Sequence, residues 1–269
     1  MSSLTITIIQ TNLHWENKKA NLEMLQRKIE GIKEKTEVVI LPEMFSTGFS
    51  MKPEILAETM DGETVQWMKK IAAERKVILT GSVIIKDPSA NAQDGKYFNR
   101  LIWMLPNGGY GIYDKRHLFA FGDEHNHYSP GNKKLIASVK GWKIHLQVCY
   151  DLRFPVWTRQ SPGDDENKYD LLINVANWPD KRRLAWKTLL RARAIENQCF
   201  VVGVNRVGED GNKIFYNGDS AIIDPLGEII YHKNTAEDIF TCTLQKEKVS
   251  EIRNQFPFWR DADIFSINE

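Results

Sequence analysis

Ile144-His145-Leu146-Gln147-Val148-Cys149-Tyr150-Asp151-Leu152-Arg153-Phe154-Pro155 is the stretch that decides how this chain is read. A strand-like run ends on a cysteine, and polar, charged and proline residues follow at once. A thiol at a strand end before a turn is held up at the sheet rim, where the next backbone N–H can face a substrate. Free cysteines are usually core filler, and Cys199 and Cys242, each inside an apolar run, fit that description. Tyr150, Asp151 and Arg153 are poor company for a sealed core, which sets Cys149 apart.

Two more strand-like runs close on reactive side chains. Val38-Val39-Ile40-Leu41-Pro42 leads into Glu43, and Tyr110-Gly111-Ile112-Tyr113-Asp114 leads into Lys115. Taken singly, Glu43 is an ordinary cap or surface carboxylate, and Lys115-Arg116-His117 an ordinary basic turn. Converging at one sheet rim, a carboxylate, an ammonium and a thiol supply a proton carrier, a fixed cation and a nucleophile. That set suits acyl transfer at an amide carbonyl.

Around these runs, strands and helices alternate. Thr5 to Gln10 reads as a buried first strand, followed by a helix with Leu22, Leu25, Ile29 and Ile32 on one face and Asn17 as N-cap. A second helix covers about Gly62 to Lys76, and Val77 to Ile85 is a β-branched strand. Asn99 to Leu105 and Tyr110 to Lys115 flank Pro106-Asn107-Gly108-Gly109, a hairpin signal. Trp142 to Cys149 and Asp170 to Ala176 are strands. Leu184 to Gln198 is a helix with Leu189, Leu190, Ala194 and Ile195 on its packed side and Lys187, Arg191 and Arg193 on its outer side. Phe200 to Val207, Ser220 to Ile223, Glu228 to Tyr231 and Ile239 to Leu244 complete the strands. Hairpins mixed with strand–helix–strand units point to mixed sheets with helices outside.

At 269 residues, without a Pro/Gly/Ser-rich linker, residues 1–269 read as one domain, with 246–269 a C-terminal tail that packs on a partner subunit. A net charge of +1 gives no reason to expect nucleic acid or an anionic membrane. No apolar run is long enough to span a bilayer, and Met1-Ser2-Ser3-Leu4 lacks a signal-peptide layout. Three cysteines do not make a disulfide framework, so a reducing cytoplasm is the expected location.

Leu41-Pro42-Glu43, Asp114-Lys115-Arg116-His117-Leu118 and Cys149-Tyr150-Asp151-Leu152-Arg153-Phe154-Pro155 together resemble the nitrilase, or carbon–nitrogen hydrolase, superfamily. Order and approximate separation fit that family's Glu–Lys–Cys triad from residue 5 to about 245. Downstream, Asn177-Trp178-Pro179, Ala192 to Gln198, Asn205-Arg206-Val207-Gly208 and Gly218-Asp219-Ser220 are similar to its omega-amidase-like branch. The resemblance implies an α/β fold: a four-layer α-β-β-α sandwich of two mixed six-stranded sheets flanked by helices. It implies a homodimer or an assembly of dimers, and needs no metal or organic cofactor.

What the family implies for chemistry is a cytoplasmic thiol amidohydrolase. It would cleave a small linear amide, such as 2-oxoglutaramate or another omega-amide of a 2-oxo dicarboxylic acid, through a cysteine thioester. A nitrilase or N-carbamoyl hydrolase would use the same triad; a catalytically silent interaction protein would share the fold. Glu43 acts as general base on Cys149, the Lys115 charge favours the thiolate, and Lys115 with the backbone N–H of Tyr150 holds the oxyanion. Removing one such donor typically costs ~3 kcal/mol of transition-state stabilisation. Glu124 is the expected second acidic residue, with Asp123 as competitor. Asp123, Glu124, His125 and His127 match no strong zinc spacing and read as a solvated loop. Asp151 and Arg153 read as a salt-bridged turn that orients Cys149; the alternative has Arg153 binding a substrate carboxylate. Phe45, Phe119, Phe121, Tyr128, Asn177 and Trp178 are candidates for the pocket wall.

Overall fold

The computed structural model describes residues 2–88, 96–163 and 168–267. The chain opens with β1 (Ser3–Gln10), α1 (Lys18–Glu30), β2 (Val38–Ile40), the short α2 (Pro53–Leu56), α3 (Glu63–Arg75) and β3 (Ile78–Asp87). β4 (Lys96–Met104) and β5 (Tyr110–Asp114) form a hairpin, then come α4 (Glu124–His127), β6 (Ile136–Val139) and β7 (Trp142–Val148). Next are α5 (Pro155–Thr158), β8 (Leu171–Ala176), α6 (Arg183–Asn197), β9 (Phe200–Asn205), β10 (Val207–Glu209), β11 (Phe215–Ile223), β12 (Ile229–Asn234), β13 (Asp238–Gln245) and α7 (Lys246–Gln255).

The strands make two mixed sheets. One has six strands in the order β13-β1-β2-β3-β4-β5; the other has seven, β10-β11-β9-β8-β7-β6 with β12 also paired to β11. The parallel pairs β1–β2, β2–β3, β7–β8 and β8–β9 sit at the sheet centres. This fits the four-layer sandwich, with one correction: the second sheet has seven strands rather than six. Its short strands β6 and β10 carry too few alternating residues to stand out in sequence.

Strand alternation sorts the apolar residues into layers. Ile6, Ile8, Val38 and Ile40 from the first sheet share a buried cluster with Ile144, Leu146, Val148, Ile173 and Val175 from the second. Ile9, Val39, Leu41 and Leu79 face the other way, onto Leu22, Leu25 and Ile29 of α1 and Val65, Met68 and Ile71 of α3. Asn17 caps α1 by accepting from the Ala20 N–H. On the far side, α6 lays Trp186, Leu190 and Ala194 against the second sheet. A Cβ on Gly203 would lie 2.5 Å from Leu190 Cδ1, so glycine permits that close approach.

Two sequence expectations for α6 change. Ile195 is 53 % exposed, whereas Arg193 is buried, donating to the Leu152 carbonyl at 2.6 Å and to Glu196. Arg193 lies on the same stripe as Trp186, Leu190 and Asn197, and its guanidinium satisfies a buried carbonyl there. The expected tail begins as a helix: α7 buries Val249 and Ile252, and a short turn at Phe258–Asp261 follows. Asn268 and Glu269 lie outside the described residues. No helix among the described residues is long and apolar enough to cross a membrane.

Candidate active site

Glu43, Lys115 and Cys149 come together at the ends of three strands. Glu43 follows β2 by three residues and is fully buried. The N–H of Leu41 donates to Thr80, and that of Met44 donates to the Ser82 hydroxyl, so β3 fixes the turn that carries Glu43. Its Oε1 accepts from Lys115 Nζ at 3.0 Å and from Asn99 Nδ2 at 2.8 Å. Its Oε2 accepts the Asn177 N–H at 2.7 Å, and its carbonyl accepts Asn177 Nδ2.

Lys115 is the first residue past β5 and is 1 % exposed. Its N–H donates to Asn99, and its carbonyl accepts from Gly131. Nζ reaches Glu124 Oε1 at 3.0 Å and Oε2 at 2.8 Å in addition to Glu43. Burial alone would lower the lysine pKa, but Glu124 and Glu43 override it and raise it above the ordinary value. Glu124, fully buried, also accepts the Phe119 N–H at 2.6 Å. Burial, assisted by Glu43 and opposed by Lys115, pushes its carboxyl up. Asp123 turns to solvent, accepting from Asn126 and pairing with His127, while His125 is exposed.

Cys149 adopts φ +47°, the left-handed region that non-glycine residues rarely enter, at the step from β7 into a tight turn. It is 9 % exposed. Burial first, then Glu43 and Glu124, push the thiol well above its usual range, against the opposing pull of Lys115. Lys115 does favour the thiolate, as expected, but burial and the two carboxylates outweigh it. The lysine faces two carboxylates, so the surrounding charge is net negative and the thiol keeps its proton.

A cavity opens on Cys149. Its wall includes Phe119, Tyr150, Asn177 and Trp178 among the anticipated residues, together with Arg153 and Arg182. Phe45 and Tyr128 are elsewhere. Phe45 packs under Gly81 against Trp67 in the helix-side core, where the missing Cβ of Gly81 leaves room. Tyr128 packs with Met44 and Ile84 and donates to the Ser50 carbonyl at 2.6 Å. Phe121 is 89 % exposed.

Arg153 does not pair with Asp151. Its guanidinium lies 4.8 Å from the Trp178 ring centre, while that of Arg182 lies 4.9 Å from Phe119. Among the site residues that escaped the sequence reading are Asn99, Arg182 and Phe49, whose ring lies 5.1 Å from Lys115 Nζ. A lone carboxamide within an apolar strand was the available signal for Asn99. For Arg182 it was the cluster Lys181-Arg182-Arg183 just after a strand end.

A buried carboxylate beside a protonated thiol, with an ammonium held between two acids, can move a proton without solvent. The carbon–nitrogen hydrolase family model matches residues 5–254. The chain belongs to the carbon–nitrogen hydrolase family. The hydrolase is 44 % identical over 271 residues to the omega-amidase YafV of Escherichia coli K12, covering 99 % of this chain and 100 % of that protein. It is 32 % identical over 261 residues to the 2-oxoglutaramate amidase of Bacillus subtilis 168, covering 96 % of each. A crystal structure of XC1258 from Xanthomonas campestris, a carbon–nitrogen hydrolase superfamily protein, superposes with a TM-score of 0.94 at 44 % identity, with all of both chains covered. Saccharomyces cerevisiae Nit3, of the nitrilase superfamily, superposes with a TM-score of 0.82 at 25 % identity over 95 % of each. The hydrolase is an amide-cleaving enzyme.

Proposed function

We propose that the hydrolase is an omega-amidase, releasing ammonia from a small amide that carries a carboxylate at its other end, such as 2-oxoglutaramate. The observation that carries this reading is the pair Arg153 and Arg182 on the wall of the Cys149 cavity. Each guanidinium lies against an aromatic face, and neither forms an ion pair among the described residues. Two unpaired cations above a reactive thiol suit an anionic substrate whose carboxylate they grip while its amide reaches sulfur.

In this reading Cys149 is the nucleophile and Glu43 takes its proton as sulfur attacks the amide carbon. The thiolate forms during attack, consistent with a thiol held protonated at rest. Lys115 and the backbone N–H of Tyr150 stabilise the tetrahedral oxyanion. Glu124 keeps Lys115 charged and oriented; with two contacts to Glu124, one Lys115 N–H can turn to the oxyanion. Glu43 returns the proton to the departing ammonia, leaving a thioester, then deprotonates the water that hydrolyses it. A reducing cytoplasm would keep Cys149 a thiol. Pairing of two copies is supported by exposed Val156 and Phe258, which line a surface groove with Phe265.

Ammonia release is measured on 2-oxoglutaramate, neutral short amides, nitriles and N-carbamoyl amino acids. The anionic omega-amide should be fastest, and Cys149→Ala should be inactive yet folded. Arg153→Met and Arg182→Met should each lower kcat/KM for the anionic amide by about tenfold or more, the worth of a charged hydrogen bond, and leave neutral amides unchanged. Faster turnover of a nitrile or carbamoyl substrate, or equal losses on charged and neutral amides, would defeat the assignment.

A further inference from the structure

Asp151 is two residues past the nucleophile candidate, fully buried, and outside the wall of the cavity. Its carboxylate accepts four hydrogen bonds. Oδ2 accepts the Val148 N–H at 3.1 Å and the Tyr113 hydroxyl at 2.8 Å. Oδ1 accepts the His117 N–H at 2.9 Å and meets His117 Nδ1 at 2.8 Å, so Nδ1 is the protonated nitrogen. Tyr113 in turn accepts from Trp157 Nε1 at 3.0 Å, and the His117 ring stacks on Phe154 with centroids 3.8 Å apart.

We propose that Asp151 is a positioning residue that clamps the Cys149 turn to the strand end bearing Lys115, and that His117 and Tyr113 are the jaws of the clamp. The inference rests on Cys149 being the nucleophile. The carboxylate holds the backbone immediately before Cys149 through Val148, and the segments on either side of Lys115 through Tyr113 and His117. It adds a second hydrogen-bonded link between the two sheets at the site, beside the bonds of Asn177 to Glu43. The left-handed φ of Cys149 is unfavourable for a residue with a side chain, so an imposed hydrogen-bond frame is needed to hold it there. A carboxylate has about four acceptor sites, and this one uses them all on donors from three separate segments.

Asp151→Asn would turn an amide NH2 towards N–H donors and endanger the fold, so the jaws are varied instead. His117→Ala, His117→Asn and Tyr113→Phe are compared with the parent enzyme for kcat, KM, thermal midpoint and the rate of Cys149 alkylation by iodoacetamide. Misplacing the sulfur should lower kcat about tenfold in His117→Ala and in Tyr113→Phe, with KM within about twofold. His117→Asn, which keeps a nitrogen donor near the place of Nδ1 but not the stacked ring, should recover kcat to within about threefold. Alkylation should fall in step with kcat. Parent-like kcat in His117→Ala, no recovery in His117→Asn, or a change confined to KM would overturn the clamp while leaving the nucleophile assignment intact. Turnover by Cys149→Ala would overturn both.

Discussion

Replacing Lys115 by Met tests the electrostatic core of the site most directly. In the parent structure Nζ holds Glu43 Oε1 and Glu124 Oε1 at 3.0 Å each and Glu124 Oε2 at 2.8 Å, all without solvent contact. Methionine fills much of the same volume and removes the charge, leaving two buried carboxylates facing one another. Losing one partner of a buried ion pair costs about 3–5 kcal/mol. For a chain of 269 residues, an unfolding entropy of ~2.1 cal/mol/K per residue turns that into a midpoint drop of about 5–9 °C. The pH dependence has a definite sign. Burial and repulsion from Glu43 raise the folded-state Glu124 pKa above the unfolded value of about 4.3, and without Lys115 to oppose them the folded state binds more protons than the unfolded one. The missing stability should therefore return as pH falls towards that window, by up to about 1.4 kcal/mol per pH unit for each proton taken up. Urea unfolding of both proteins between pH 8 and pH 5.5, followed by tryptophan fluorescence, measures the gap. A gap under about 1 kcal/mol at pH 8, or one that widens with acid, would refute a buried cation between two ionised acids.

Two further outcomes follow from perturbed groups. Burial and the two glutamates hold the Cys149 thiol well above its ordinary range, so inactivation by iodoacetamide should still accelerate past about pH 8.5, and Glu124→Gln should shift that rise to lower pH; a plateau near neutrality would contradict it. Burial, with Lys134 adding to it, pushes His145 down to about 3, below an unfolded value of about 6.5. Its neutral form stabilises the fold above that higher value and the contribution is lost as pH falls. By pH 4.5 the loss should reach roughly 3 kcal/mol, and His145→Met should remove that part of the acid sensitivity in urea titrations; identical pH profiles would exclude it.

Strand ends were legible because alternation stops abruptly where a proline, a charge or a turn residue enters. Glu43, Lys115 and Cys149 each stand at such a stop, and no tertiary information is needed to notice them. Partners were not legible in the same way. Asp151 was matched to its neighbour Arg153, yet it holds His117, 34 residues away, and Tyr113, 38 away. A side chain's partner depends on which loops the sheets bring together, and local charge pattern carries no record of that. Arg193 was misplaced because charge was taken to mean solvent, although its position relative to Trp186 and Leu190 puts it on the packed stripe. Phe45 was assigned to the pocket from closeness in sequence to Glu43, but successive residues of a turn leave in different directions, and the space over Gly81 draws the ring into the core.

The placement of the site has a consequence for how activity depends on folding. Glu43 and Lys115 belong to the first sheet, and Cys149 to the second. Asn177, just past β8 in the second sheet, gives both its N–H and its side-chain amide to Glu43 of the first. On the proposed roles the chemistry straddles the interface between sheets, and the inner apolar layer sets the distance between the Glu43 carboxylate and the Cys149 thiol. A cavity-forming change deep in that layer, such as one at Ile173, lets the surrounding side chains relax and the sheets shift. Residues in the helix-side layer, such as Ile71 of α3, hold no such spacing. Destabilisation of equal size should thus damage turnover more when it arises between the sheets than when it arises beneath a helix, because only the former changes where the proton acceptor meets sulfur.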